Sequence, residues 1–81
     1  MNVTVKLFAA ARELAGANEA VVEAGSPATV GEVRRRLVEA YPALAALAAR
    51  SWMAVNAEYA DDGRPVPPGA DVALIPPVSG G

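Results

Sequence analysis

Chemistry in a protein needs a reactive group, and this chain offers few of them. It contains no histidine and no cysteine, which excludes imidazole bases, thiolate nucleophiles and metal sites built from either residue. Its three serines have no histidine to activate them, and its only lysine is Lys6. The candidate that remains is the carboxylate of the last residue, Gly81.

The residues before that carboxylate are suited to carry it into a narrow site. Pro76 and Pro77 cannot donate to a strand ladder, so they end the preceding strand and favour an extended exit. Gly80 and Gly81 have no side chains, which makes the tip thin and adaptable. We therefore predict that residues 76–81 form a flexible, functional tail and that the rest of the chain supports it.

Other polar clusters have simpler interpretations. Asp61, Asp62 and Asp71 lie in turn-like stretches, where aspartate is preferred for local hydrogen bonding, so we predict no metal site. The stretch 25–27 lacks the lysine and glycine pattern of a phosphate-binding loop. The arginine run at 34–36 is typical of a solvated helix face, and a docking patch for an acidic partner is the alternative.

Length and composition limit the class of protein. With 81 residues and 53% hydrophobic residues, the chain has room for one domain, residues 1–81, with one modest core. A net charge of −2 argues against a nucleic-acid partner. Neither an apolar run of roughly 20 residues nor a signal-peptide start is present, so we expect a cytoplasmic protein without a membrane partner.

The first half of the sequence predicts strand, helix, strand and a longer helix. Apolar and polar residues alternate over 2–7, which predicts a strand with one buried face. The alanine-rich stretch 9–15 predicts a short helix closed by Gly16, and 19–24 predicts a second strand. A main helix follows over 29–41, with one apolar face formed by Val30, Val33, Leu37 and Tyr41.

Local signals bound the main helix at both ends. Thr29 and Glu32 fit a capping box, in which each side chain accepts a backbone N–H of the other residue. Pro42 ends the helix, because the residue before a proline avoids the α region. Further predicted elements are one or two helical turns over 43–49 and strands over 52–56, 58–60 and 71–75, with a proline-rich loop over 64–70.

The last strand is apolar on both of its pleats. Val72 and Leu74 lie on one side, and Ala73 and Ile75 lie on the other. One helix covers only one face of a sheet. The second pleat is therefore either that of a covered central strand or an exposed patch, which would place a protein–protein surface near the tail.

Two regions of the sequence resemble the small subunit of molybdopterin synthase. Residues 5–16 resemble its opening segment, and Val55, Asn56 and Tyr59 together with 73–81 resemble its end. The Pro-Pro-Val-Ser-Gly-Gly ending after a hydrophobic strand is the most specific part of the match. The resemblance implies an α+β fold of the ubiquitin-like β-grasp type, with a mixed sheet of about five strands and one main helix packed across one face.

The resemblance also implies a function, that of a sulfur carrier in molybdenum cofactor biosynthesis which is not a catalyst on its own. A ubiquitin-activating-like adenylyltransferase would use ATP to adenylate Gly81, and a sulfur donor such as a persulfide would convert it to a thiocarboxylate. The large subunit of molybdopterin synthase would hold the tail while sulfur passes to the pterin precursor to form the dithiolene. The carrier itself would bind no cofactor.

Partner-binding residues follow from the resemblance together with the pleat assignment. Ile75 is predicted to face outward, and the resemblance implies a hydrophobic contact at Tyr59, with Phe8 and Arg12 nearby. The predicted contacts continue along the tail through Pro76, Pro77, Val78 and Ser79, and the reacting end is formed by Gly80 and Gly81.

Three alternatives stay open at this point. The chain could carry sulfur to another acceptor, such as thiazole or cysteine synthesis. It could be a ubiquitin-like modifier that forms isopeptide bonds, although a single Lys6 within a strand makes self-conjugated chains a poor expectation. It could also be a plain β-grasp interaction domain. A C-terminal tag would abolish the carrier and modifier activities and leave the last one intact.

Overall fold

The structure, a computed structural model, describes residues 1–77 as seven short strands, two α-helices, and a 3₁₀ turn that leads into a third helix. The strands are β1 (Asn2–Leu7), β2 (Glu19–Glu23), β3 (Ala28–Thr29), β4 (Trp52–Val55), β5 (Glu58–Ala60), β6 (Pro65–Val66) and β7 (Val72–Ile75). The helices are α1 (Ala9–Ala15), α2 (Val30–Ala40) and α3 (Ala45–Ala49), with the 3₁₀ turn at Pro42–Leu44.

Five strands form one mixed sheet in the order β2-β1-β7-β4-β5. The central pair β1 and β7 is parallel, with Leu7 opposite Leu74, and the other pairs are antiparallel. The predicted α+β fold, with about five strands and one main helix across one face, is therefore confirmed.

One face of this sheet, together with α2, forms the core. The alternation in β1 is as predicted, because Val3, Val5 and Leu7 are buried and the residues between them are exposed. On α2, Val30, Val33 and Leu37 are fully buried, whereas Tyr41, expected on the same face, is only half-buried at the C-cap.

Two predicted helix ends are confirmed in detail. Gly16 closes α1 in the left-handed region at φ +70°, and its N–H bonds to the carbonyl of Arg12 at 2.9 Å. At the start of α2, the hydroxyl of Thr29 accepts the N–H of Glu32 at 3.2 Å.

The return half of the predicted capping box is wrong. The carboxylate of Glu32 accepts the N–H of Gly25 at 2.9 Å rather than that of Thr29. The chain turn after β2 places the Gly25 backbone beside this carboxylate, and Thr29 itself lies in strand β3. The side chain of Glu32 therefore ties the helix to the preceding loop instead of closing its own cap.

The proline-rich stretch after residue 63 is more regular than predicted. Its residues 65 and 66 form β6, which pairs with β3 in a separate two-stranded ladder. Proline is tolerated there because each strand of such a pair is an edge. Val66 is buried opposite Ala28, and the carbonyl of Arg64 accepts the N–H of Val30 at 2.9 Å, so this stretch also caps α2.

The arginine run on α2 divides into different environments. The guanidinium of Arg34 donates to the backbone carbonyls of Ala48 and Ser51 and pairs with the carboxylate of Asp62 at 3.1 Å. It therefore joins α2, the end of α3 and the turn after β5. The predicted solvated face holds for the two neighbouring arginines, which are exposed.

Truncation of Leu37 should show how much of the stability depends on the contact between α2 and the sheet. Leu37 is 0% exposed. Leu37→Ala should lower the free energy of unfolding by about 2–5 kcal/mol, because it leaves a cavity. Arg35→Ala, an exposed change on the same helix, should stay within about 0.5 kcal/mol. Urea denaturation of both variants measures this, and equal effects would contradict the assignment of the core.

Gly31 lies in the first turn of α2, where the backbone of another segment comes very close. Its N–H bonds to the carbonyl of Asp62 at 2.9 Å. A β-carbon at this position would lie 3.1 Å from the Asp62 β-carbon and 3.2 Å from the Asp62 carbonyl oxygen. The Asp62 turn is held by that hydrogen bond and by Arg34, so it has little freedom to move away.

Gly31→Ala should therefore destabilise the protein, although alanine is favoured over glycine in helices by about 1 kcal/mol. An Asp62→Gly background, which removes the contacting β-carbon, should reduce the penalty. The free energies of unfolding of the two single variants and the double variant form the test. A more stable Gly31→Ala protein would show that the turn yields.

Candidate functional site: an apolar patch beside the tail

The outer face of the sheet, opposite α2, carries an apolar patch centred on β7. Directly opposed residues of neighbouring strands share a face. Ala73 lies opposite Ala54, and Ala54 lies opposite Tyr59 on the far side. Ile75 lies at the end of β7, and Phe8 follows β1 immediately. The outer patch is formed by Phe8, Ala54, Tyr59, Ala73 and Ile75.

The outer patch encloses a shallow groove of about 400 Å³. Besides the patch residues, the groove is lined by Lys6, Ala57, Asp71 and Val72. Tyr59 exposes 65% of its surface and Phe8 exposes 46%. These are high exposures for large aromatic side chains that lie together on one surface. Of the two alternatives for the second pleat of the last strand, the structure therefore shows the exposed patch, with Ile75 and Ala73 half-buried in it.

The parallel pairing of β1 with β7 explains why the predicted partner residues meet. Leu7 lies opposite Leu74, so the next residues along each strand, Phe8 and Ile75, reach the same end of the sheet. Phe8 is held there in extended backbone as the N-cap of α1. Three of the predicted contacts, at Phe8, Tyr59 and Ile75, therefore border one groove.

Arg12 lies next to this groove rather than in it. It is exposed on α1 and lines a separate shallow depression together with Lys6 and Phe8. The structure therefore places Arg12 beside Phe8, as expected, on the β1 side of the point where the tail leaves the sheet.

The tail is described only at its beginning. Pro76 is half-buried and Pro77 is exposed, and both follow β7 without regular structure. The predicted contacts Val78 and Ser79 and the reacting end Gly80 and Gly81 lie outside the described residues.

Sequence reasoning missed one large residue on this face. Trp52 begins β4 directly opposite Ile75, and it exposes 61% of its surface. Its ring stacks on Tyr59 with centroids 5.4 Å apart and an interplanar angle of 47°. The signal was present, since Trp52 precedes the buried Met53 in a strand and must therefore face the opposite way.

Few ionisable side chains line the outer patch and its groove. Among residues 1–77, no three acidic side chains converge in a way that could hold a metal ion. The ionisable side chains in the groove are those of Lys6, Asp71 and Tyr59. Such a surface can bind a partner and orient the tail toward it. Separately, none of the helices within residues 1–77 has the length and hydropathy to cross a membrane.

Comparisons with known proteins agree with this architecture. A molybdopterin synthase sulfur carrier subunit from Chlamydomonas reinhardtii is 37% identical over 83 residues, covering 100% of each chain. Small archaeal modifier protein 1 from Haloferax volcanii is 38% identical over 84 residues, covering 94% of this chain and 97% of that protein. Its crystal structure superposes with a TM-score of 0.89 at 35% identity over 100% of both chains.

These similarities confirm two predictions, the β-grasp fold and the resemblance to molybdopterin synthase small subunits. The sequence profile of the ThiS family matches residues 5–81, which includes the outer patch and the whole tail. The chain therefore belongs to the ThiS family.

Proposed function

We propose that this protein is a sulfur carrier and acts as the small subunit of molybdopterin synthase. One observation supports this most directly: an exposed apolar patch lies at the end of the sheet from which the Pro-Pro-Val-Ser-Gly-Gly tail departs. A domain that presents its C-terminus to an enzyme needs a surface of this kind at this place. The sulfur carrier subunit from Chlamydomonas reinhardtii, similar over its full length, supports the same function.

The chemistry would take place at the carboxylate of Gly81. A carboxylate is a poor acyl donor because oxide is a poor leaving group. Reaction with ATP on an adenylyltransferase forms an acyl adenylate and releases pyrophosphate. Sulfide can attack the carbonyl carbon, AMP leaves with the bonding pair, and the thiocarboxylate forms directly. A persulfide in the same role forms an acyl disulfide; a second thiol then cleaves its S–S bond, which releases the thiocarboxylate and leaves the donor as a disulfide. ATP is consumed by the partner enzyme, and the carrier binds no cofactor.

The second reaction would occur with the large synthase subunit. The thiocarboxylate sulfur attacks an electrophilic carbon of the pterin precursor, and an oxygen leaving group departs from that carbon with the bonding pair. Water then cleaves the acyl–sulfur bond, which restores the Gly81 carboxylate and leaves the sulfur on the pterin. A dithiolene contains two sulfurs, so two charged carriers are consumed for each product. We place these reactions in the cytoplasm, where ATP is available.

Distance limits where the partner's active site can lie. The six residues after Ile75 span at most about 20 Å when fully extended. Docking through the outer patch would hold the start of the tail in a fixed place, and the extended tail would then reach a buried site within that distance. The domain would thus position the Gly81 carboxylate, and the partner would supply the catalytic groups.

A second candidate function, protein modification, is favoured by the similarity to small archaeal modifier protein 1. Both functions need adenylation of Gly81, and they differ in the final acceptor. In the carrier the acceptor atom receives sulfur, whereas in the modifier a lysine amine attacks the activated carbonyl and forms an isopeptide bond.

Deletion of Gly81 tests the site of the chemistry. The deletion withdraws the carboxylate by at most ~3.6 Å, and a misplacement near 1 Å can cost about a hundredfold in rate. We expect unchanged thermal stability and loss of both adenylation and sulfur loading. Intact-protein mass spectrometry after incubation with ATP, the cognate activating enzyme and a sulfur donor measures the loading.

Wild-type protein should gain the mass difference between one sulfur and one oxygen, located on the C-terminal peptide. If wild-type protein instead becomes linked to lysines of other proteins and never gains sulfur, the modifier function replaces the carrier function. Sulfur loading of the deletion variant at the wild-type rate would refute the proposed site.

Ile75→Asp tests the outer patch as the docking surface. A carboxylate in the centre of an apolar contact would be desolvated without a partner, so binding of the large subunit should weaken at least about tenfold. The fold should persist, because Ile75 lies on the pleat opposite the core. Calorimetric titration gives the Kd, and thermal melting reports folding.

Val21→Asp is the matched control. Val21 is likewise a β-branched residue on the outer face of a strand, but it is exposed and lies on β2, outside the groove. It should leave the Kd within about twofold, as is usual for surface changes away from a contact. If Ile75→Asp unfolds the domain, Ile75 belongs to the core and its predicted outward position is wrong.

A further inference from the structure

The cationic side chains of this chain divide into a paired and an unpaired group. Arg34, Arg36 and Arg64 each form ion pairs with carboxylates of the chain at 3.8 Å or less. The other cations have no carboxylate within 4.0 Å among residues 1–77. This second group consists of Lys6, Arg12, Arg35 and Arg50.

Three of the four unpaired cations surround the outer patch and the start of the tail. Lys6 lines the groove itself, and Arg12 lies beside Phe8 on the β1 side. Arg50 lies on the opposite side, two residues before Trp52. Because β4 runs antiparallel to β7 and Trp52 is opposite Ile75, Arg50, the C-cap of α3, lies at the end of the sheet where β7 ends.

Arg50 and Trp52 border one shallow depression at the edge of the outer patch. Arg34, Asp61 and Asp62 also line this depression. Asp62 is paired with Arg34 at 3.1 Å, and the carboxylate of Asp61 accepts the N–H of Gly63 at 3.1 Å. The depression therefore presents an exposed indole and a guanidinium that has no ion pair within 4.0 Å among residues 1–77.

We propose that Arg50 and Trp52 form a second recognition element for the large synthase subunit, on the β4 side of the tail. The partner surface that fits it has an apolar area over the indole and a carboxylate opposite the guanidinium. This inference rests on the proposed function and extends the docking surface to residues that neither the resemblance nor the predicted site included.

Physical chemistry favours this occupant. Lys6, Arg12 and Arg50 form no ion pair within 4.0 Å among residues 1–77, so a carboxylate on a partner surface can pair with them. Tryptophan and arginine dominate the binding energy of protein interfaces, since both bury a large area and arginine gives up its hydration readily. A flat apolar partner surface would leave Arg50 without a counter-charge, which is costly on burial.

The main test compares two charge reversals of the same size. Arg50→Glu should weaken binding of the large subunit from the same organism at least about tenfold at ~0.1 M salt. Arg35→Glu is the matched control, because Arg35 is also exposed and unpaired within residues 1–77 but lies on α2, on the other side of the sheet. It should change the Kd by less than about twofold.

The salt dependence of binding distinguishes the electrostatic contribution of Arg50 from the apolar contribution of Trp52. At ~1 M salt the Debye length is about 3 Å, so the difference between Arg50→Glu and wild type should shrink several-fold. Trp52→Ala should also weaken binding at least about tenfold, and its effect should persist at ~1 M salt, because apolar burial is not screened. Thermal melting of each variant confirms folding before titration.

Failure of this inference and failure of the proposed function have different signatures. If wild type binds the large subunit and Ile75→Asp weakens binding, while Arg50→Glu behaves like Arg35→Glu, the second element is refuted and the proposed function stands. A loss confined to adenylation by the activating enzyme would also refute it, because the element would then serve another partner. If wild type neither binds the large subunit nor gains sulfur, both proposals fall together.

Discussion

The structure depends on one constraint: a single main helix must bury a five-stranded sheet, and a helix covers only one face. The covered face takes the fully buried residues of β1, β4, β7 and α2, including Val5, Met53 and Leu74. The other face stays open. On β1 and β2 that open face is largely polar, whereas on β7, β4 and β5 it is apolar. Folding does not require the apolar half of this open face, because α2 does not cover it. Contact with a partner protein therefore explains the apolar residues there better than core packing does.

The parallel pairing of β1 and β7 decides which residues meet at one end of the open face. It brings the end of the first strand, with Phe8, to the same end of the sheet as Ile75 and the start of the tail. An antiparallel partner in place of β1 would have sent Phe8 to the opposite end. The buried pair Leu7 and Leu74 therefore belongs to the core and also fixes the distance between Phe8 and the start of the tail.

Local signals in the sequence predicted the parts that depend on neighbouring residues. The alternation in β1, the left-handed Gly16 and the Thr29 cap follow from spacing alone, and the structure contains all of them. The parts that were missed depend on residues far apart in the chain. The carbonyls bound by Arg34 lie 14 and 17 residues away, and the β3–β6 ladder joins segments separated by more than 30 residues. Propensity and periodicity carry no information on such contacts.

Under the proposed function, chemistry and recognition belong to different parts of the chain. A tail that ends in two glycines has no side chain at its tip with which to select one acceptor over another. Adenylation is common to carriers and modifiers, so it does not separate them either. We therefore assign selection to the outer face, where the rings of Trp52 and Tyr59 pack in a tilted arrangement near the start of the tail. Two ThiS-family proteins with identical tails could serve different enzymes if these surface residues differed. The fold would tolerate that difference, since the exposed indole and phenol contribute little to the core.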